Sequence, residues 1–198
     1  MTLTDRLRQI FKQFLENVGK TLFNLGISAD TITLIGLIGN IIASVLLAGG
    51  HLLSGGILIL CMGPLDAFDG AVARAQGEET KFGAFFDSIT DRYSELCIYL
   101  GLILFFLNTQ DTAGIILTFV AAAGSILVSY TRARAQGIGI DVKTGIMTRV
   151  ERYLVLAPGI VLQYPKVSLW IIAILANITA IQRIWIVRNL TKKTEKEK

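Results

Sequence analysis

Apolar residues run through this chain in long blocks, separated by short polar or charged stretches. The blocks predict six helical spans at about 30–49, 52–74, 82–107, 112–135, 150–164 and 167–188. A bilayer core of ~30 Å takes roughly 20 helical residues. In the second and third blocks the cleanly apolar stretches, Ser54–Leu65 and Leu96–Leu107, hold only 12 residues each. Taken literally these are short core helices. Extended through the neighbouring aspartates, both reach membrane length, and their carboxylates then lie at span ends and face one another instead of lipid. The fifth block is also short, and Pro158 within it predicts a kink. Asp30 is expected to cap the first span.

Residues 1–28 follow another pattern. Leu3, Leu7, Ile10, Phe11, Phe14, Leu15 and Val18 recur at helical spacing, with Arg6, Arg8, Lys12 and Glu16 between them. That is the signature of an amphipathic helix lying in the headgroup plane. A helix packed on a soluble partner would share it, but the first span follows directly and favours the membrane surface. The pattern as a whole predicts an all-α integral membrane protein. Residues 1–28 form a juxtamembrane amphipathic helix, 29–190 a domain of six transmembrane helices, and 191–198 ("TKKTEKEK") a solvated charged tail.

Composition agrees: 53% of residues are hydrophobic and 17% charged, with a mean hydropathy of +0.59, outside the soluble range. Of 19 Lys and Arg, 17 fall in residues 1–29, 74–81, 132–152 and 183–198. The positive-inside rule therefore places both termini and the second–third and fourth–fifth connections in the cytoplasm. An even number of crossings fits. Met1–Lys20 is charged throughout, so no cleaved leader is expected. Cys61 and Cys97 lie in apolar runs without a CxxC pattern, which argues against a disulfide framework or zinc site. The single histidine, His51, falls at a predicted loop, which removes histidine-based catalysis from consideration. No internal repeat is present, and nothing points to nucleic acid.

The chemistry is concentrated in "DAFDGAVARAQGEETKFGAFFDSITDR", residues 66–92. Asp66 and Asp69 lie about 60° apart on one helix, and Gly70 and Ala73 extend the stripe. On the next helix Gly83, Asp87 and Asp91 follow one another at intervals of four, again a single stripe. Intramembrane acids are costly, and crowded carboxylates need a cation or a proton. Oxygen-only ligands suit Mg²⁺, Mn²⁺ or Ca²⁺, and the glycines leave room for a phosphate-bearing ligand. Two other readings fit the same spacing: salt bridges to Arg74, Lys81 and Arg92, or the acidic site of a divalent cation or proton carrier.

Read in full, Asp66-x2-Asp69-Gly70-x2-Ala73-Arg74-x8-Gly83-x3-Asp87-x3-Asp91 resembles the signature of the CDP-alcohol phosphotransferase (phosphatidyltransferase) family at all eight defined positions. Such enzymes are six-helix membrane proteins, usually homodimers, that move a lipid-phosphoryl group from a CDP-activated donor to an alcohol and release CMP. The resemblance implies that Asp66, Asp69 and Asp87 ligate a pair of Mg²⁺ or Mn²⁺ ions. Asp91 is then a further ligand and the general base. It implies that Gly70, Ala73, Arg74 and Gly83, with Asp66 and Asp69, bind the CDP-lipid donor, CDP-diacylglycerol or CDP-archaeol. The active site then faces the cytoplasm from the cell membrane, with nucleotide and acceptor arriving from water and the acyl chains staying in lipid.

The basic residues narrow the acceptor. Arg132 lies in "SYTRARAQG", Arg149 and Arg152 in "MTRVERYL" and Arg183 in "AIQRIWIV". All fall on the predicted side of the aspartates, and guanidinium groups grip phosphate bidentately. Arg183 lies inside a span, where an unpaired cation is costly. Arg134 and Arg188 fit the positive-inside bias alone. The pieces "VSYTRARAQG", "TRVER" and "AIQRI" resemble the branch of the family that uses inositol 1-phosphate and makes phosphatidylinositol phosphate. That resemblance implies Arg132, Arg149, Arg152 and Arg183 as the acceptor-phosphate site. Glycerol 3-phosphate, giving phosphatidylglycerol phosphate, is the rival acceptor.

Overall fold

A computed structural model describes residues 11–77, 80–142 and 144–196. The first part of the amphipathic stretch, residues 1–10, lies outside the described residues. Every described element is helical: α1 (Lys12–Asn24), α2 (Ala29–Ala48), α3 (Leu52–Met62), α4 (Leu65–Gln76), α5 (Lys81–Asn108), α6 (Thr112–Gln136), α7 (Arg149–Val161) and α8 (Pro165–Lys196). In a lipid core a helix satisfies its own backbone polar groups, which is why the apolar blocks take this form.

Four segments are long and apolar enough to cross a bilayer: Ala29–Ala48, Leu52–Ala75 (α3 and α4 together), Thr112–Gln136 and Pro165–Lys192. Helix α5 is 28 residues long but carries Asp87, Asp91, Arg92 and Glu95 before residue 96. Helix α7 has 13 residues, roughly 20 Å by the rise of an α-helix. Helix α8 has 32 residues, roughly 48 Å, so it outruns a bilayer core and absorbs most of the predicted tail.

The helices form a closed ring in the order α2, α3, α7, α8, α6, α5, with α5 returning to α2. Helix α4 packs on α2, and α1 lies along α4. Leu47 of α2, Ile59 of α3, Tyr99 and Leu102 of α5, Ala121 of α6, Ile160 of α7 and Leu169 and Ile172 of α8 fill the centre. Many large apolar side chains remain exposed, among them Val45, Phe119, Trp170 and Trp185. An apolar exterior of that extent belongs in lipid, and the chain is a membrane protein.

Close approach rather than hydrophobicity holds membrane helices together. A Cβ on Gly101 of α5 would stand 2.5 Å from the Ser44 carbonyl oxygen of α2, so only glycine fits there. Ser44 Oγ meets the Cys97 carbonyl at 2.5 Å, and Tyr99 Oη lies 2.9 Å from Ser125 Oγ between α5 and α6. At the end of the bundle away from the aspartates, Lys166 pairs with Asp111. That hydrogen bond holds the Asp111 carboxyl below its usual range.

Two boundaries differ from expectation. The residue that caps α2 is Ser28, extended, whose Oγ accepts the Thr31 N–H at 3.2 Å; Asp30 is already inside the first turn. Serine one position before the helix has the extended backbone a cap needs, which Asp30 does not. The second predicted span is broken at Gly63–Pro64 into α3 and α4, while α7 runs unbroken through Pro158. Pro64 has no N–H, so the Leu60 carbonyl loses its usual partner. Tyr153 Oη of α7 takes that place, 2.9 Å from Leu60 O and 2.8 Å from Ile59 O.

Replacing Tyr153 with Phe leaves the Leu60 carbonyl unpaired, and Tyr153→Phe is expected to lower stability by about 1–3 kcal/mol. Denaturant or thermal unfolding in detergent reads this directly. Unchanged stability would show that the hydroxyl does not cap the break.

Candidate active site

The Gly63–Pro64 break starts a fresh helix just before the first aspartate, so Asp66 lies in the opening turn of α4, where helix dipoles favour negative charge. Asp69, one turn on, is buried with 6% of its surface exposed. Its Oδ2 accepts the Thr33 hydroxyl of α2 at 2.8 Å, and its Oδ1 accepts the Gly70 N–H at 2.6 Å. Asp91 of α5 is buried as well. Asp87 is close enough to act electrostatically on Asp66, Asp69 and Asp91. The two predicted acidic stripes therefore do face each other at one end of the bundle.

What separates them is an arginine from a third helix. Arg149, at the first position of α7, places Nη2 at 2.7 Å from Asp66 Oδ2 and Nη1 at 2.5 Å from Asp91 Oδ2. Arg92 stands further off, 3.7 Å from Asp91. Of the cations that the salt-bridge alternative named, Arg92 makes such a pair, with Asp91. Lys81 is exposed, and Arg74 turns back over Gly70. A Cβ at Gly70 would meet only Arg74 Nη1, at 3.4 Å, and otherwise open space. At Gly83 a Cβ would stand 3.0 Å from Thr80 Oγ1 and 3.7 Å from Asp30 Oδ1. Ala73 is half-buried on the same turn of α4.

The other arginines split into two settings. Arg132 and Arg134, near the end of α6, are exposed. Arg183 of α8 is buried, donating Nε–H to the Thr144 carbonyl at 3.0 Å and Nη1–H to the Val128 carbonyl at 2.5 Å. It lies within electrostatic reach of Arg132 and Arg152. Arg152, 2% exposed, is held by Glu95: Nε to Oε1 at 2.7 Å and Nη2 to Oε2 at 2.9 Å. Its Nη1 reaches the Met147 carbonyl at 3.3 Å. The donors expected to face an acceptor phosphate are thus, for Arg152, committed inside the bundle.

Among the described residues no three acidic side chains already form a metal cage. Arg149 lies between Asp66 and Asp91 and pairs with both. The donor set still fits a hard divalent ion: carboxylate oxygens from two helices, with space at Gly70.

The sequence profile of CDP-alcohol phosphatidyltransferases matches residues 27–185. The chain belongs to that family. It is 37% identical to the archaetidylinositol phosphate synthase of Pyrococcus horikoshii over 184 residues, 92% of this chain and 95% of the relative. The crystal structure of Mycobacterium tuberculosis phosphatidylinositol phosphate synthase with CDP-DAG bound superposes with a TM-score of 0.81 at 26% identity, covering 88% of this chain and 94% of that one. The structure of the same enzyme in complex with manganese and citrate also gives 0.81, covering 87% and 88%.

Three residues beside the phosphatidyltransferase signature were not anticipated. Glu95 continues the stripe Gly83, Asp87, Asp91 by one more interval of four, a signal present in the sequence. Thr33 and Tyr153 carry no comparable pattern, since their roles arise from contacts with distant helices.

Arg149→Ala removes the cation that bridges α4 and α5. Metal-free protein is expected to lose about 1–2 kcal/mol, between the worth of an exposed and a buried pair. Thermal melts should show most of that loss recovered by Mn²⁺. A variant as stable as the parent without metal would mean that the carboxylates need no such bridge.

Proposed function

We propose that the chain transfers a phosphatidyl or archaetidyl group from a CDP-activated lipid to inositol 1-phosphate, releasing CMP and leaving phosphatidylinositol or archaetidylinositol phosphate in the membrane. The observation that carries the reading is the meeting of Asp66, Asp69, Asp87 and Asp91 at one end of a membrane bundle, with Arg149 between Asp66 and Asp91. The likeness to an archaetidylinositol phosphate synthase over nearly the whole chain supports it.

In this reading α3 and α4 count as one crossing, α5 and α7 complete a set of six, and α1 lies in the headgroup layer. Both termini and the aspartate end face the cytoplasm from the cell membrane, and the active unit is a homodimer. Asp66, Asp69, Asp87 and Asp91 hold Mg²⁺ or Mn²⁺, in keeping with the manganese complex of the mycobacterial enzyme. A bound divalent pair supplies charge neutralisation for the diphosphate. Gly70, Ala73 and Gly83 let the donor approach α4 and α5 closely, and Arg74, folded over Gly70, pairs with a donor phosphate. The acceptor hydroxyl gives its proton to Asp91, and its oxygen bonds to the lipid-bearing phosphorus as the anhydride bond to CMP breaks. Arg149 is placed beside that base. Arg132 and Arg183, with Arg152 behind them, provide the positive field that draws the acceptor's phosphate.

Purified protein supplied with CDP-diacylglycerol or CDP-archaeol, Mg²⁺ or Mn²⁺ and inositol 1-phosphate is expected to release CMP and form the phosphorylated lipid. Asp91→Asn is expected to lower kcat by about 10²–10⁴-fold. Turnover of glycerol 3-phosphate in preference to inositol 1-phosphate would overturn the acceptor. Metal flux into liposomes without nucleotide would point to a cation carrier.

A further inference from the structure

The acidic stripe of α5 does not end at Asp91. One turn deeper, Glu95 binds the Arg152 guanidinium with both carboxylate oxygens, at 2.7 and 2.9 Å. Paired forks of this kind fix orientation as well as charge. Arg152 then passes the constraint on through Nη1, which donates to the Met147 carbonyl at 3.3 Å. Met147 is itself buried, and its N–H donates to Thr179 Oγ1 of α8 at 3.0 Å. Two residues later comes Arg149, whose guanidinium reaches Asp66 and Asp91.

The connection from α6 into α7 is otherwise irregular over its described residues, 137–142 and 144–148. Among the described residues, side chains that tie it to the bundle include Arg183, which bonds to Thr144, Thr179, which bonds to Met147, and Arg152, which bonds to Met147. Glu95 controls the last of these and at the same time fixes the axial position of α7, because Arg152 is 2% exposed and has no water to turn to. Glu95 also acts electrostatically on Arg149 and Arg92.

We propose that Glu95 is a positioning residue for acceptor binding: by gripping Arg152 it fastens the start of α7 and aims Arg149 at the site between Asp66 and Asp91. The inference rests on the acceptor reading above, with Glu95 touching neither donor nor acceptor. It is carried by one chain of contacts, Glu95 to Arg152 to Met147, two residues before Arg149.

Two variants test it. Glu95→Gln keeps the shape and loses the charge. Glu95→Asp keeps a counter-charge for the buried guanidinium but withdraws it by one methylene, so it folds even where the glutamine variant does not. Initial rates of CMP release are measured against each substrate, and amide exchange is followed over residues 144–152. Both variants are expected to raise the acceptor KM about tenfold or more, to leave the donor KM within about twofold, and to speed exchange in 144–152 but not in α2. Equal changes in both KM values, or unchanged exchange in that segment, would overturn the proposal. If the parent protein turns over no phosphorylated polyol, the acceptor reading fails, and the exchange comparison alone upholds or overturns the positioning role.

Discussion

Carboxylates placed inside a membrane bundle must be compensated, and the architecture around Asp66, Asp69, Asp87 and Asp91 is the consequence. Charge that is cheap in water is costly at the edge of a hydrocarbon layer. Asp69 is therefore met by Thr33 and the Gly70 N–H, Asp66 and Asp91 by Arg149, and the neighbouring Glu95 by Arg152. These partners come from α2, α4 and α7, so compensating the acids of α4 and α5 also dictates which helices stand beside them. Helix α7 buries Leu156, Ala157 and Ile160 in the core. It is keyed in by Arg149, Arg152 and Tyr153, three side chains on one face that reach α4, α5 and the α3–α4 break in turn.

Much of this was legible in the residues. The apolar blocks located the starts of the six spans to within two positions, because in a membrane hydrophobicity and helix length are set by the same thickness. The intervals of three and four put the aspartates on single faces, and the faces meet. What escaped has a common physical origin in contacts between distant segments. Pro64 announces a missing N–H but not that Tyr153, far along the chain, replaces it. The salt-bridge alternative named Arg74, Lys81 and Arg92 as counter-charges, and Arg92 does stand 3.7 Å from Asp91, whereas the bridging cation is Arg149, which the family resemblance placed only in an acceptor site. Ser28 rather than Asp30 caps α2, a difference of two positions that depends on backbone angles.

The same arrangement explains how a lipid-modifying enzyme uses a membrane without dissolving in it. The acids lie at one end of the bundle, where α2, α4, α5 and α7 begin, and the exterior below them is apolar. Membership of the CDP-alcohol phosphatidyltransferases fits that division: a nucleotide and a polyol phosphate are water-borne, while the transferred group carries hydrocarbon tails. Arg149 stands where the two halves of the chemistry touch, bound to Asp66 and to the proposed base Asp91.

Manganese titration of metal-stripped protein, followed by electron paramagnetic resonance, bears most directly on whether the acids of α4 and α5 act together. The account predicts saturable binding in the parent chain that is weakened at least about tenfold both by Asp69→Asn on α4 and by Asp87→Asn on α5, since ligands from either helix are required. Binding that survives undiminished when the acid of either helix is neutralised would contradict it.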